Sequence, residues 1–288
     1  MSSLRPWLEQ VERLGLDHVC VGDHVSFHDG RGYDGLIQAT ALAVAHPRLP
    51  VHLALYLLPL RHPVLVARQV STLASLAPGR IVFGVGIGGE DRHEVEIAGV
   101  DPATRGRRTD ESLEVLRGLL AGDTVTFHGE HFTIDGATIH PTPDPPIPIL
   151  VGGRSDAALV RAARYGDGWL GVWVSPDRFS RTTKAVETSA VEDGREGVTW
   201  HHELLVWCGF GDTPADARRH LAPAMEGLYK TDFGRFEQYA PHGTVDDVAD
   251  ALQPYVDAGA RSFDLVAVAG DDDTALDCVA GVRSLLVS

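Results

Sequence analysis

The chain has 288 residues, 44% of them hydrophobic, enough to bury one large core. Its 25 basic and 40 acidic residues leave a net charge of −15; such a surface repels nucleic acid and anionic membranes and favours a small-molecule substrate or a second copy of the chain. Cys20, Cys208 and Cys278 cannot all pair, MSSLRPWLEQ carries no targeting pattern, and every apolar run is broken by charge, Gly or Pro, so a cytoplasmic protein without disulfides or membrane span is expected.

The first predicted element is a helix over 4–14, with Leu4, Leu8 and Val11 on one face and Gly15 at its end. An apolar strand follows in DHVCVGDHV and ends on Asp23-His24. The next strand, HLALYLLPLRHP, stops at Pro59, and Pro63 opens a helix over 64–76 that Gly79 terminates. RIVFGVGIGGEDRH is a third strand running into a glycine loop. Its Gly84, Gly86 and Gly89 have G-x-G-x-x-G spacing, but no apolar strand ending in an acid lies about 20 residues on. Three readings of the loop stand: a dinucleotide turn, a tight structural turn, or a backbone approach to a flat or anionic ligand.

Leu113, Leu116 and Leu120 mark a helix. Residues 123–148 then break the rhythm with alternating residues, Gly129 and Asp135-Gly136, followed by PTPDPPIPIL. This is read as a β-rich insertion within a single domain over 1–288. The strand around Leu150 ends in Gly152-Gly153-Arg154-Ser155, and a helix over 157–165 follows, closed by Gly166. Strands around Gly171, Leu205 and Val266 and a helix over 245–258 ending at Gly259 complete the chain. The strands are apolar almost throughout, which indicates a parallel sheet covered on both sides. Seven are identified where a (β/α)8 TIM-type barrel needs eight, and the absent one is the first.

Polar residues at the C-terminal ends of barrel strands face the active site. Asp23 and His24 fit that position, against the plainer reading of a helix-capping Asp and an exposed His. Gly152 to Ser155 offers backbone N–H groups, an N-cap and a guanidinium to a phosphate, or is a capped turn. His24 and His28, four apart, and His201-His202, read as lying in a strand, lack metal-motif spacing; a metal-dependent hydrolase is kept as an alternative and no metal ligand is assigned.

In this order, GLDHVCVGDHV, LPLRHPVLVARQVSTLASLAPGRIVFGVGIGG, RGRRTDESLEVLRGLL, IPILVGGRSDAALVRAARYGDGWL and GTVDDVADALQPYVDAGARSFDLV resemble the bacterial luciferase-like monooxygenase family. The resemblance implies a (β/α)8 barrel with the insertion after the fourth strand, and a deazaflavin, coenzyme F420, or alternatively FMN. It also implies an oxidoreductase that transfers hydride between a small organic substrate and the cofactor, and a homodimer. An FMN-dependent monooxygenase and a non-catalytic flavin-binding relative are the alternatives. Carried over by position, Asp23 and His24 border the ring, and a non-proline cis peptide falls near Leu55-Tyr56. Ile87, Gly88 and Gly89 lie along the ring. Glu90 and His93 compete for one inward place, the loop being one residue longer here. Gly152, Gly153, Arg154 and Ser155 hold the phosphate. His24 is expected as general acid/base, with Glu90 second; Tyr56, Trp169 and Trp173 line the site or belong to the core.

Overall fold

A computed structural model describes residues 4–287. The elements in chain order are α1 (Leu4–Arg13), β1 (Val19–Val21), α2 (Gly35–Ala45), β2 (Val51–Leu57), α3 (Pro63–Leu76), β3 (Ile81–Gly86), α4 (Arg92–Ile97) and α5 (Arg105–Ala121). The hairpin β4 (Val125–His128) and β5 (Thr133–Ala137) comes next. Then follow β6 (Ile149–Gly152), α6 (Asp156–Tyr165), β7 (Gly168–Val172), α7 (Pro176–Glu192), β8 (Glu203–Phe210) and α8 (Pro214–Tyr229). β9 (His242–Gly243), α9 (Val245–Asp257), β10 (Ser262–Val268) and α10 (Asp272–Leu286) complete the fold.

The main sheet is parallel and runs β1-β2-β3-β6-β7-β8-β10, with β9 pairing β8. It curls into a nearly closed barrel whose two edges are β1 and β10. The seven expected strands are all present; β9 is the one missed, because two residues carry no periodic signal. His201-His202 precedes β8 rather than lying in it. The insertion is an antiparallel hairpin, as its alternation predicts. It is anchored by Glu111 of α5, whose carboxylate accepts from the backbone N–H groups of Glu130, His131 and Phe132. Gly15, Gly79 and Gly259 end helices with positive φ, but Gly166 does not; a Cβ there would crowd the Ala162 carbonyl.

Alternation along the strands fixes what lies inside the barrel. Val19, Val21, Val51, Leu53, Ile81, Phe83 and Val85 pack outward against Leu8, Val11, Val66, Val70 and Leu113 of the helices. Cys20, His52, Gly84, Gly86 and Gly152 therefore face inward. The peptide between Ala54 and Leu55 is cis, one residue earlier than expected. The Leu55 side chain rests against the inward glycines: a Cβ on Gly152 would overlap Leu55 Cδ1, and one on Gly84 would strike Leu55 Cδ2 and the Leu53 carbonyl. Gly84 and Gly86 are thus needed first for Leu55, not for a ligand.

Candidate active site

The C-terminal ends of β1, β3 and β6 bring together the residues with the clearest chemistry. His24, in the loop after β1, stacks on Phe27 with ring centroids 4.1 Å apart. Its Nδ1 lies 3.1 Å from Glu94 Oε2, and Glu94 is buried. Glu94 also accepts from the backbone N–H groups of Val25 and Ser26, at 2.7 and 3.1 Å. Burial alone would raise this carboxyl; the His24 hydrogen bond and charge, with the two backbone donors, hold it below the usual range. An ionised carboxylate fixes the proton of His24 on Nδ1, which leaves Nε2 as the nitrogen free to exchange one.

Glu90 lines the same mouth. It is open to solvent on one side but crowded by protein on the others, and the loss of hydration raises its carboxyl above the usual range. The nearby His24, Arg154 and His28 oppose that rise, and Glu94 adds to it. Burial, with the Glu90 charge nearby, also raises the Tyr229 phenol, whose oxygen accepts from Trp207 Nε1 at 3.0 Å. Trp173, Phe236 and Phe27 surround Tyr229, with centroids at 6.0, 5.2 and 6.5 Å. The mouth therefore has a titratable wall of His24 and Glu90 facing an aromatic wall from α8 and its neighbours.

The other expected residues divide clearly. Ile87 is half-buried, and Gly88 and Gly89 both have positive φ, with Gly89 laid over the Arg105 guanidinium. His93 is exposed on α4. The helix turns Glu94 inward. Asp23 is buried and fully engaged, accepting from Gly35 N at 2.8 Å, Leu57 N at 2.9 Å and Arg61 Nη2 at 2.9 Å. It ties β1 to β2 and α2. Tyr56 lies in the core beneath Arg61, 4.5 Å from ring centroid to guanidinium. Trp169 is also core; its Nε1 donates to the Gly153 carbonyl at 2.8 Å.

Arg154 and Ser155 stand at the start of α6, where Ser155 caps the helix by accepting from Ala158 N. Arg178 of α7 donates to the Arg154 carbonyl at 2.7 Å. Two guanidinium groups thus flank one helix N-terminus, a donor set that fits a phosphate. Glu94 and Arg178 were not identified from sequence. Glu94 had a readable signal, four residues after Glu90 at the start of a helix; Arg178 had none.

A sequence profile described as luciferase-like monooxygenase matches residues 2–287. An uncharacterized protein of Mycobacterium tuberculosis is 41% identical over 170 residues, spanning 59% of this chain and 58% of that protein. An F420-dependent glucose-6-phosphate dehydrogenase of Kineococcus radiotolerans is 29% identical over 278 residues, 87% of this chain and 82% of that protein. Two solved structures share the fold at TM-score 0.84. One is an F420-dependent secondary alcohol dehydrogenase in complex with an F420–acetone adduct, at 24% identity over 96% of this chain and 92% of that one. The other is the monooxygenase RslO1 of Streptomyces bottropensis, at 22% identity over 99% and 92%.

Proposed function

The chain belongs to the luciferase-like monooxygenase family, and on that premise we propose that it is an F420-dependent oxidoreductase acting on a small organic substrate at the C-terminal face of the barrel. The observation that carries this is the His24–Glu94 pair opening onto the same mouth as Glu90 and Arg154. The F420-dependent names of its relatives support the choice of cofactor.

The donor set fits the group. Arg154, Arg178 and the Ser155-capped start of α6 would hold its phosphate, and the Ile87–Gly89 loop would lie along its ring system. When bound, F420 supplies a ring carbon that accepts or returns a hydride. For an alcohol substrate, whose C–H hydride such a group would take up, His24 Nε2 would accept the O–H proton as the carbonyl forms. Glu94 stabilises the imidazolium so formed through Nδ1. Glu90, with its raised carboxyl, is placed to pass that proton to solvent. The aromatic wall of Trp173, Tyr229 and Phe236 excludes water from the opposite side and favours an uncharged substrate.

A homodimer fits the outer face of α2 and α3, which exposes Ile37, Val44, Leu65 and Leu76. No helix among the described residues is long and apolar enough to cross a membrane.

Titration of the purified protein with F420 and, separately, with FMN tests the reading. Saturable F420 binding, with reduction of F420 by an alcohol from a panel, is expected. FMN binding with oxygen uptake would move the assignment to an FMN monooxygenase. Binding of either without turnover would make the chain a flavin-binding relative.

A further inference from the structure

The inward side chains of β8 change character from one end of the barrel to the other. Glu203, its first residue, faces the interior at the N-terminal end, where its Oε2 is 3.2 Å from His52 Nδ1. His18 and Asp264 close that end beside them, with Nε2 and Oδ1 2.9 Å apart, and the two imidazoles stack with centroids 3.9 Å apart. Leu204, Val206, Cys208 and Phe210 pack into the outer core, so alternation places Leu205 and Trp207 inward. Trp207 stands toward the C-terminal mouth and packs on a second apolar cluster, built on Trp173, Leu221, Met225 and Phe233.

The Trp207 indole donates its one N–H to Tyr229, the last residue of α8, with Nε1 3.0 Å from Oη and the rings inclined at 71°. An indole N–H can only donate, so the phenol oxygen is the acceptor and its own hydrogen must point elsewhere. No group among the described residues accepts that hydrogen. The Phe27 ring that meets Tyr229 edge-on also carries the stacked His24 ring, so His24 and Tyr229 rest on the same support. Trp173, packed on Tyr229 from another side, has φ 53°, a left-handed backbone that a bulky residue rarely adopts. Its carbonyl accepts from Arg154 Nη1 at 3.4 Å. The aromatic wall therefore begins where the phosphate-binding arm ends.

On the reading that the chain is an F420-dependent oxidoreductase, we propose that Tyr229 donates its hydroxyl hydrogen to an oxygen of the substrate and that Trp207 aims it. The substrate is a neutral alcohol, or the matching ketone, with an apolar ring-sized body against Trp173, Trp207 and Phe236. The hydrogen bond received from Trp207 polarises the phenol and strengthens the one it gives. An anionic substrate is disfavoured, because the charge that acts on the phenol is the Glu90 carboxylate. Lys230, next in the chain, is occupied by Asp29 at 2.6 Å.

The test has two arms on the full chain. In the first, without cofactor, tryptophan fluorescence follows titration with cyclohexanone and with cyclohexene, which are similar in size but differ in accepting a hydrogen bond. Tyr229→Phe keeps the ring and its packing; it should weaken cyclohexanone binding about three- to tenfold and leave cyclohexene unchanged. Trp207→Phe, folded by circular dichroism, should show the same selectivity to a smaller extent. In the second arm, with F420, the wild type should oxidise cyclohexanol or benzyl alcohol in preference to glucose 6-phosphate, and Tyr229→Phe should lower kcat/KM for the alcohol by the same factor. Equal cyclohexanone binding by Tyr229→Phe and wild type would overturn the proposal, as would no ketone binding, a preference for glucose 6-phosphate, or F420 binding without turnover of either alcohol. Absence of F420 binding would instead fail the oxidoreductase reading, while the first arm still decides whether Tyr229 donates.

Discussion

At the C-terminal mouth, one part-exposed imidazole meets one buried carboxylate through Nδ1. At the N-terminal floor, two imidazoles lie against each other and against two carboxylates, with 10% or less of the His52 side chain and none of Asp264 exposed. The residue types are the same, so composition does not separate the two places. Access does. A His–carboxylate pair with one free nitrogen in reach of a ligand can take and return a proton, whereas a closed cluster has no route for substrate and can only hold a charge or an ion. The mouth also meets an aromatic wall that could face an organic ring. The floor is bounded by the strands themselves.

The sharpest way to break this contrast is to remove the proton carrier at the mouth. His24→Ala should lower kcat by about 10²–10⁴-fold while changing F420 affinity far less, as read by steady-state kinetics beside a binding titration. Glu94→Gln keeps the shape but loses the charge that holds Nδ1, and should lower kcat by about 10–100-fold. Wild-type turnover in both variants would mean that the mouth is no more chemical than the floor. A smaller effect is expected from Arg154→Ala, which should weaken cofactor binding about tenfold, more at low salt than at high. An unchanged dissociation constant would place the phosphate elsewhere.

The smallest effect separates the two carboxylates of the mouth from each other. Glu94 has a lowered folded-state pKa, so its stabilising contribution is present above the unfolded pKa and disappears as pH falls through the folded value. Glu90 has a raised one, so the protein loses stability as pH rises from the unfolded value through the folded value. In melts across pH, Glu94→Gln should lower the transition at neutral pH by about 2–4 °C, the gap closing in acid. Glu90→Gln should raise the transition slightly at neutral pH, the gap again closing below the ordinary carboxylate range. Shifts of the same sign for both would show that the environments are not opposed.

Much of the site was legible where local pattern determines place. Asp23 and His24 follow an apolar strand, Gly152 to Ser155 follow another, and both ends face the mouth because strand direction settles it. The pairing of Glu90 against His93 was not legible. Asp91 caps α4 by accepting from His93 N, and on that helix Glu94 is buried while His93 is exposed. Asp23 also changed meaning, since nothing local says that Arg61, 38 residues on, occupies its carboxylate.

The sequence by itself determined the repeating helix and strand units, the parallel sheet, the β-rich insertion and the strand ends on which chemistry could sit, because hydrophobic period and glycine stops act over a few residues. Only the tertiary structure decided that Gly84, Gly86 and Gly152 make room for Leu55, that Glu94 holds His24, and that His18, His52, Glu203 and Asp264 meet. The first two depend on the order of neighbouring strands, the last on closing the sheet into a barrel. Closure brings inward-facing side chains from separate strands within a few ångströms across a space that no local pattern describes.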